Sequence, residues 1–280
     1  MPIIYCNFDL ISRLFIMKKV VTTTFVFLLL AGSFSVQAQV ITPRGDVNQD
    51  GSVSISDVTS LIDYLLTGTW PEDPLIPDES EYVDLGLPSG TLWATRNIGA
   101  HAPEDYGDYY AWGETEPKSI YQRETYKWYY KYYQGNTLHF SLTKYCTNSV
   151  SGTVDNKTEL DPEDDAAYVN WGASWRMPTS EQMNELMTTC TWTWTTQNGV
   201  KGSLIIGPNG NTLFLPAAGS RINDYSSQVG SAGFYWSRML SNGDAYAKNM
   251  TCSSAAPGNG CSDQSRWSGF SVRAVLVSQN

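Results

Sequence analysis

The sequence predicts an α+β fold of short antiparallel strands with one or two helices, preceded by a small loop-and-helix module. Three observations carry that expectation. Short alternating runs are joined by Asn-Gly turns, one segment has a clear helix-capping signature, and nothing alternates strand with helix as a parallel sheet requires. The 280 residues are 41% hydrophobic and only 16% charged, enough apolar material for a core. A formal net charge of −10 excludes recognition of nucleic acid by phosphate neutralisation.

The elements follow in chain order. Lys18 and Lys19 precede an apolar run over 20–34 and the small-residue exit Val36-Gln37-Ala38. That is the plan of a cleaved export signal, so residues 1–38 are expected to be removed, with Met17 as the start. A membrane anchor is the competing reading. The run holds three threonines and falls short of the ~20 apolar residues a span needs, and no other segment qualifies.

The next stretch carries the strongest chemistry. Asp46, Asn48 and Asp50 stand at positions 1, 3 and 5 of a twelve-residue loop, with Gly51 at position 6 where the backbone turns. Ser52 offers its carbonyl at position 7 and Asp57 closes the loop at position 12. Calcium takes six or more oxygens, and alternate side chains plus one carbonyl supply them from one continuous loop. Val58, Leu61, Ile62 and Leu65 then follow helical spacing, so a short helix is expected from Ser56 to Gly68. An Asx-rich turn without a metal is the plain alternative. The segment resembles one repeat of a dockerin, whose loop also ends in Asp. Dockerins carry two such repeats, and one is found here. A helix of about ten residues cannot bury its stripe alone, so it packs on a neighbouring domain, pairs with another chain, or is a remnant.

Residues 70–81 hold three prolines and five acids without a base, the composition of a stiff linker between the module at 39–69 and a large domain at 82–278. Within that domain, strands are expected over 82–85, 91–98, 109–114, 191–196, 200–206, 212–215, 234–238, 245–250 and 270–277. Pro88-Ser89-Gly90, Asn198-Gly199 and Pro208-Asn209-Gly210 supply turns. A helix is expected over 179–189, where Thr179 and Gln182 form a capping box and Met183, Leu186 and Met187 share a face.

Six stretches then line up with one family. Residues 83–94 (Val-Asp-Leu-Gly-Leu-Pro-Ser-Gly-Thr-Leu-Trp-Ala), 108–114, 174–179, 215–219, 233–237 and 271–275 resemble, in order, the motifs of the Fibrobacter succinogenes major paralogous domain family. The resemblance covers nearly all of 82–277. It implies a C-type-lectin-like fold with paired terminal strands and a loop-rich binding half, and it brings no catalytic residues.

Candidate ligand contacts are the aromatic run 126–133, with Tyr126, Trp128 and Tyr130, and the later residues Trp236, Arg238, Asp244 and Trp267. Rings stack on sugar faces when exposed, but they also fill ordinary cores. Cys146, Cys190, Cys252 and Cys261 remain after export and admit three disulfide pairings, with four buried thiols as the rival. The carboxylate run Asp161, Glu163, Asp164 and Asp165 reads as a solvated loop rather than a hydrolytic pair, and no nucleophile elbow, metal-binding His pair or phosphate loop is present. The expectation is a secreted or surface-held, non-enzymatic protein that takes calcium and recognises an extracellular glycan or surface protein. Its alternative is an accessory of polysaccharide breakdown, docked onto an assembly through the calcium repeat.

Overall fold

The computed structural model describes residues 61–62, 81–256 and 258–276. Leu61 and Ile62 are helical, as their spacing predicts. The calcium loop, the export signal and most of the linker lie outside the described residues.

The described chain is mostly β. Its strands are β1 (Tyr82–Asp84), β2 (Leu92–Ala94), β3 (Tyr129–Gln134), β4 (Thr137–Leu142), β5 (Trp175–Arg176), β6 (Thr191–Gln197) and β7 (Val200–Ile206). There follow β8 (Thr212–Pro216), β9 (Ser220–Ile222), β10 (Tyr225–Ser227), β11 (Ala232–Leu240), β12 (Tyr246–Ser253), β13 (Asn259–Ser265) and β14 (Val275–Leu276). They form five small sheets, in the orders β1-β2-β14-β5, β3-β4, β6-β7-β8, β9-β10 and β11-β12-β13, and every strand pair is antiparallel. The α-helices described are α1 (Ala166–Trp171) and α2 (Ser180–Thr189), of six and ten residues. This corrects the α+β, C-type-lectin-like expectation. Helix supplies too little of the chain to form a layer of its own, and the body is built from hairpins.

The local chemistry explains the elements that matter. Thr179 accepts from the Gln182 N–H at 3.2 Å while the Gln182 side chain accepts from the Thr179 N–H at 2.9 Å, closing the capping box of α2. Met183 and Leu186 on its inner face are fully buried against Leu213, Leu215 and Met250. Asn198 and Gly199 have φ of 48° and 85°, the left-handed pair that matches the twist of a two-residue hairpin, and they join β6 to β7 in register.

The core has three parts. One gathers Trp112, Tyr145, Trp236 and Phe270 beside α1, and a second lies under α2. The third, with Tyr121, Tyr126, Tyr129, Leu142 and Cys146, anchors the root of the β3–β4 hairpin. The closing segment feeds the first through Phe270, Val272 and Ala274 and the second through Val275.

Cys146, Cys190, Cys252 and Cys261 are free thiols, which corrects the disulfide expectation. Cys146 packs in the hairpin-root cluster, whereas Cys190, Cys252 and Cys261 pack under α2, so a Cys146–Cys190 staple has no geometry to form. Cys261 stands opposite Met250 on the neighbouring strand, not opposite Cys252. Burial pushes the Cys252 thiol up to about 11 and that of Cys146 upward as well, so both stay protonated and unreactive at neutral pH.

Candidate functional site

The loop residues Asp46, Asn48, Asp50, Ser52 and Asp57 lie outside the described residues, and their donor chemistry is read from the sequence. Three carboxylates, one amide and one carbonyl form an all-oxygen set without Cys or His, which suits a hard cation such as calcium.

The candidate ligand contacts of the large domain are scattered and differently employed. Tyr126 is buried, donates from its hydroxyl to the Trp112 carbonyl at 2.7 Å and accepts from Arg266 Nε at 2.9 Å. Trp128 donates from Nε1 to the Gly113 carbonyl at 2.9 Å. Trp236 is fully buried, stacks on Phe270 with centroids 4.4 Å apart and donates to the Tyr110 carbonyl. Arg238 pairs with Glu159 at 2.6 Å. Asp244 is buried and accepts from the Thr147 N–H and hydroxyl and from the Asn148 N–H, which pins the 147–148 turn. Trp267 flanks Tyr129 at 5.9 Å beneath the Arg123 guanidinium. Tyr130 alone of the seven is an exposed aromatic.

The acidic run departs from expectation. It is not a solvated loop, because Asp164 and Asp165 are buried. Oxygens of Asp161, Glu163 and Asp164 lie within 4.8 Å of one another, close enough to hold a cation, and the cation there is Lys144. Its Nζ stands 2.6, 3.6 and 2.5 Å from the three carboxylates, while Lys157 adds to Asp161 and Lys127 to Asp164. The Tyr145 hydroxyl also donates to Asp164 at 2.7 Å. Asp165 caps α1 by accepting from the N–H groups of Ala167 and Tyr168, and it accepts from Met177 N–H at 2.9 Å, which ties β5 to the helix.

These pairings set an acid limit. Burial works against charge at Asp161 and Asp164, but hydrogen bonds from Lys144 and its neighbours outweigh it and hold both carboxyls below the usual aspartate range. Asp155, Asp244 and Asp263 are lowered too, with desolvation again outweighed by donors. A depressed folded value gives stability that is fully present above the unfolded aspartate value, about 4, and is lost as pH falls through the folded values. Asp165, raised by burial, acts in the opposite sense. These five aspartates, with Glu104 lowered as well by its hydrogen bond from Asn198, outnumber Asp165, and the expected outcome is a urea midpoint that falls below about pH 4. A midpoint constant from about pH 5 to pH 3 would contradict the pairing.

Sequence reasoning missed two buried arginines, Arg266 and Arg273, each fully enclosed and without a carboxylate partner among the described residues. Arg273 donates to Asn97 Oδ1 at 2.8 Å and to the Ala94 carbonyl at 3.1 Å, and burial lowers its pKa to about 10. Their burial is not legible locally, because their acceptors, the Asn97 and Tyr126 side chains and several backbone carbonyls, are supplied by distant parts of the chain.

Residues 44–85 match the family model of the dockerin type I domain. No curated protein matches, and no solved structure matches. The match begins two residues before Asp46 and extends into β1, past the boundary at 69 drawn from the loop and helix. The resemblance of residues 82–277 to the paralogous domain family, and the lectin-like fold it implied, find no support. Among the described residues, no helix is long and apolar enough to cross a membrane.

Proposed function

We propose that this is an exported, non-enzymatic protein that docks through its calcium repeat onto a cohesin-bearing extracellular assembly, as an accessory of polysaccharide breakdown. One observation carries the reading: the all-oxygen pattern of Asp46, Asn48, Asp50, Ser52 and Asp57 falls inside the matched dockerin type I region. Calcium, when bound, supplies a cross-link between loop positions far apart in the unfolded chain. The residues of this chain do the rest. Gly51 stands at the position where such a loop must turn, Asp46, Asn48 and Asp50 stand at the ligand positions before it, and Asp57 stands at the closing position, where a helix is expected from Ser56. Val58, Leu61, Ile62 and Leu65 then offer an apolar stripe to a protein partner.

The non-enzymatic part of the reading is supported by the acidic run. Within it Asp161 and Asp164 are occupied by Lys144, Lys127 and Lys157, and Asp165 by helix capping, which keeps these three from serving as a general acid or nucleophile. The test is capture of the chain by an immobilised cohesin module in calcium and again in chelator. Capture in calcium alone is expected, and equal retention in both, or none in either, overturns the reading.

A further inference from the structure

We propose that the β3–β4 hairpin is a saccharide-stacking surface for an acidic polysaccharide; this deepens the accessory reading above by naming a polymer class. Among the described residues no third strand joins this pair, and only Leu142 at its root makes a further bridge, to Gly152. Cross-strand pairing sets Tyr132 opposite His139 and Tyr130 opposite Ser141, which places Tyr130, Tyr132 and His139 on one face. Their rings run nearly parallel, Tyr130 to Tyr132 at 6.2 Å and 14°, and Tyr132 to His139 at 5.3 Å and 20°. Tyr130 is 62% exposed and Tyr132 40%. Such rings have no partner to bury them among the described residues, although their neighbour Tyr129 is buried at the root. A rigid root therefore carries a row of exposed rings.

Shape and charge together select the occupant. Six residues of a two-stranded ribbon span roughly 20 Å by 5–10 Å, well under the ~800 Å² per partner of a stable protein interface. A linear polymer of ring units, each presenting a C–H face, fits a narrow aromatic row better than a globular surface does. In a chain of net charge −10, residues 125–154 contain no Asp or Glu and three lysines. Lys127 and Lys144 are neutralised by Asp161 and Asp164. Arg123 and Lys131 have no carboxylate partner among the described residues: Arg123 lies over Phe140 at 4.7 Å, and Lys131 donates to the Glu124 carbonyl. The ribbon is one strand pair thick, so these charges act across it within a Debye length of about 10 Å. A polyanion repelled by the rest of the molecule is admitted here.

The test is affinity electrophoresis of the full chain through polygalacturonate and through a neutral glucan, both in chelator so that the calcium repeat plays no part. Retardation by polygalacturonate alone is expected, weakened by added salt and by Lys131→Glu. Tyr130→Ala with Tyr132→Ala is expected to weaken it about tenfold while the melting midpoint stays unchanged, since both rings are exposed. Equal retardation by the two polymers, an unaffected double variant, or no retardation beside capture of a protein ligand each overturns the proposal. Cohesin capture in calcium should be untouched by the hairpin variants, so failure of either proposal is visible without the other.

Discussion

Replacing Arg266 with alanine is expected to remove about 3–5 kcal/mol of stability, a large part of the margin of a folded domain. Arg266 is completely buried. Its Nε donates to the Tyr126 hydroxyl at 2.9 Å, its Nη1 to the carbonyls of Tyr145 and Asp244 at 3.0 and 2.9 Å, and its Nη2 to that of Lys144 at 3.1 Å. The guanidinium also lies over the Trp112 ring at 4.8 Å, which offsets part of the cost of burying its charge. It thus joins the turn at 144–145, the turn at 244 and the aromatic core. Removal leaves acceptors without donors as well as a cavity. Arg266→Met keeps most of the volume and separates the two effects, while Arg266→Lys restores charge without the planar fork. Urea unfolding at neutral pH checks the series. All three variants are expected to lower the midpoint, alanine most, and a loss under about 1 kcal/mol for alanine would contradict the structural role.

Asp46→Ala and Asp50→Ala are expected each to abolish calcium-dependent capture by cohesin. Each removes a carboxylate from a set that must supply six or more oxygens around one cation. The stabilisation lost is that of a ligand bound only by the folded segment, about 2.7 kcal/mol at a hundredfold excess over the dissociation constant. Asn48→Ala, which removes a neutral donor, should weaken capture less. Capture that survives both aspartate changes would show that the partner grips something other than the calcium-bound fold.

The legible parts of the chain were those whose signal is local. The capping box of α2, the Asn198-Gly199 turn and the matched run over 200–206 are each decided by residues within a few positions, and each appears as expected. The run over 109–114 forms no named strand, because Tyr110 meets Phe270 in a single isolated bridge and Trp112 turns into the core. The strand expected over 270–277 shortens to β14, since Phe270 to Ala274 serve the core through side chains more than a ladder. The β3–β4 hairpin escaped notice as strands because aromatics occupy both of its faces and erase the alternation. The cysteine pairings and the burial of Asp164 depend on which distant turns meet, which spacing does not encode. The calcium loop stood out because its chemistry requires fixed spacing within twelve residues.

Calcium titration calorimetry on the chain, beside Asp46→Ala and Asp50→Ala, tests the central claim most directly. Saturable binding near one ion per chain, absent in either variant, is the predicted result. No heat from the unaltered chain, or equal heat from the variants, would contradict the docking account.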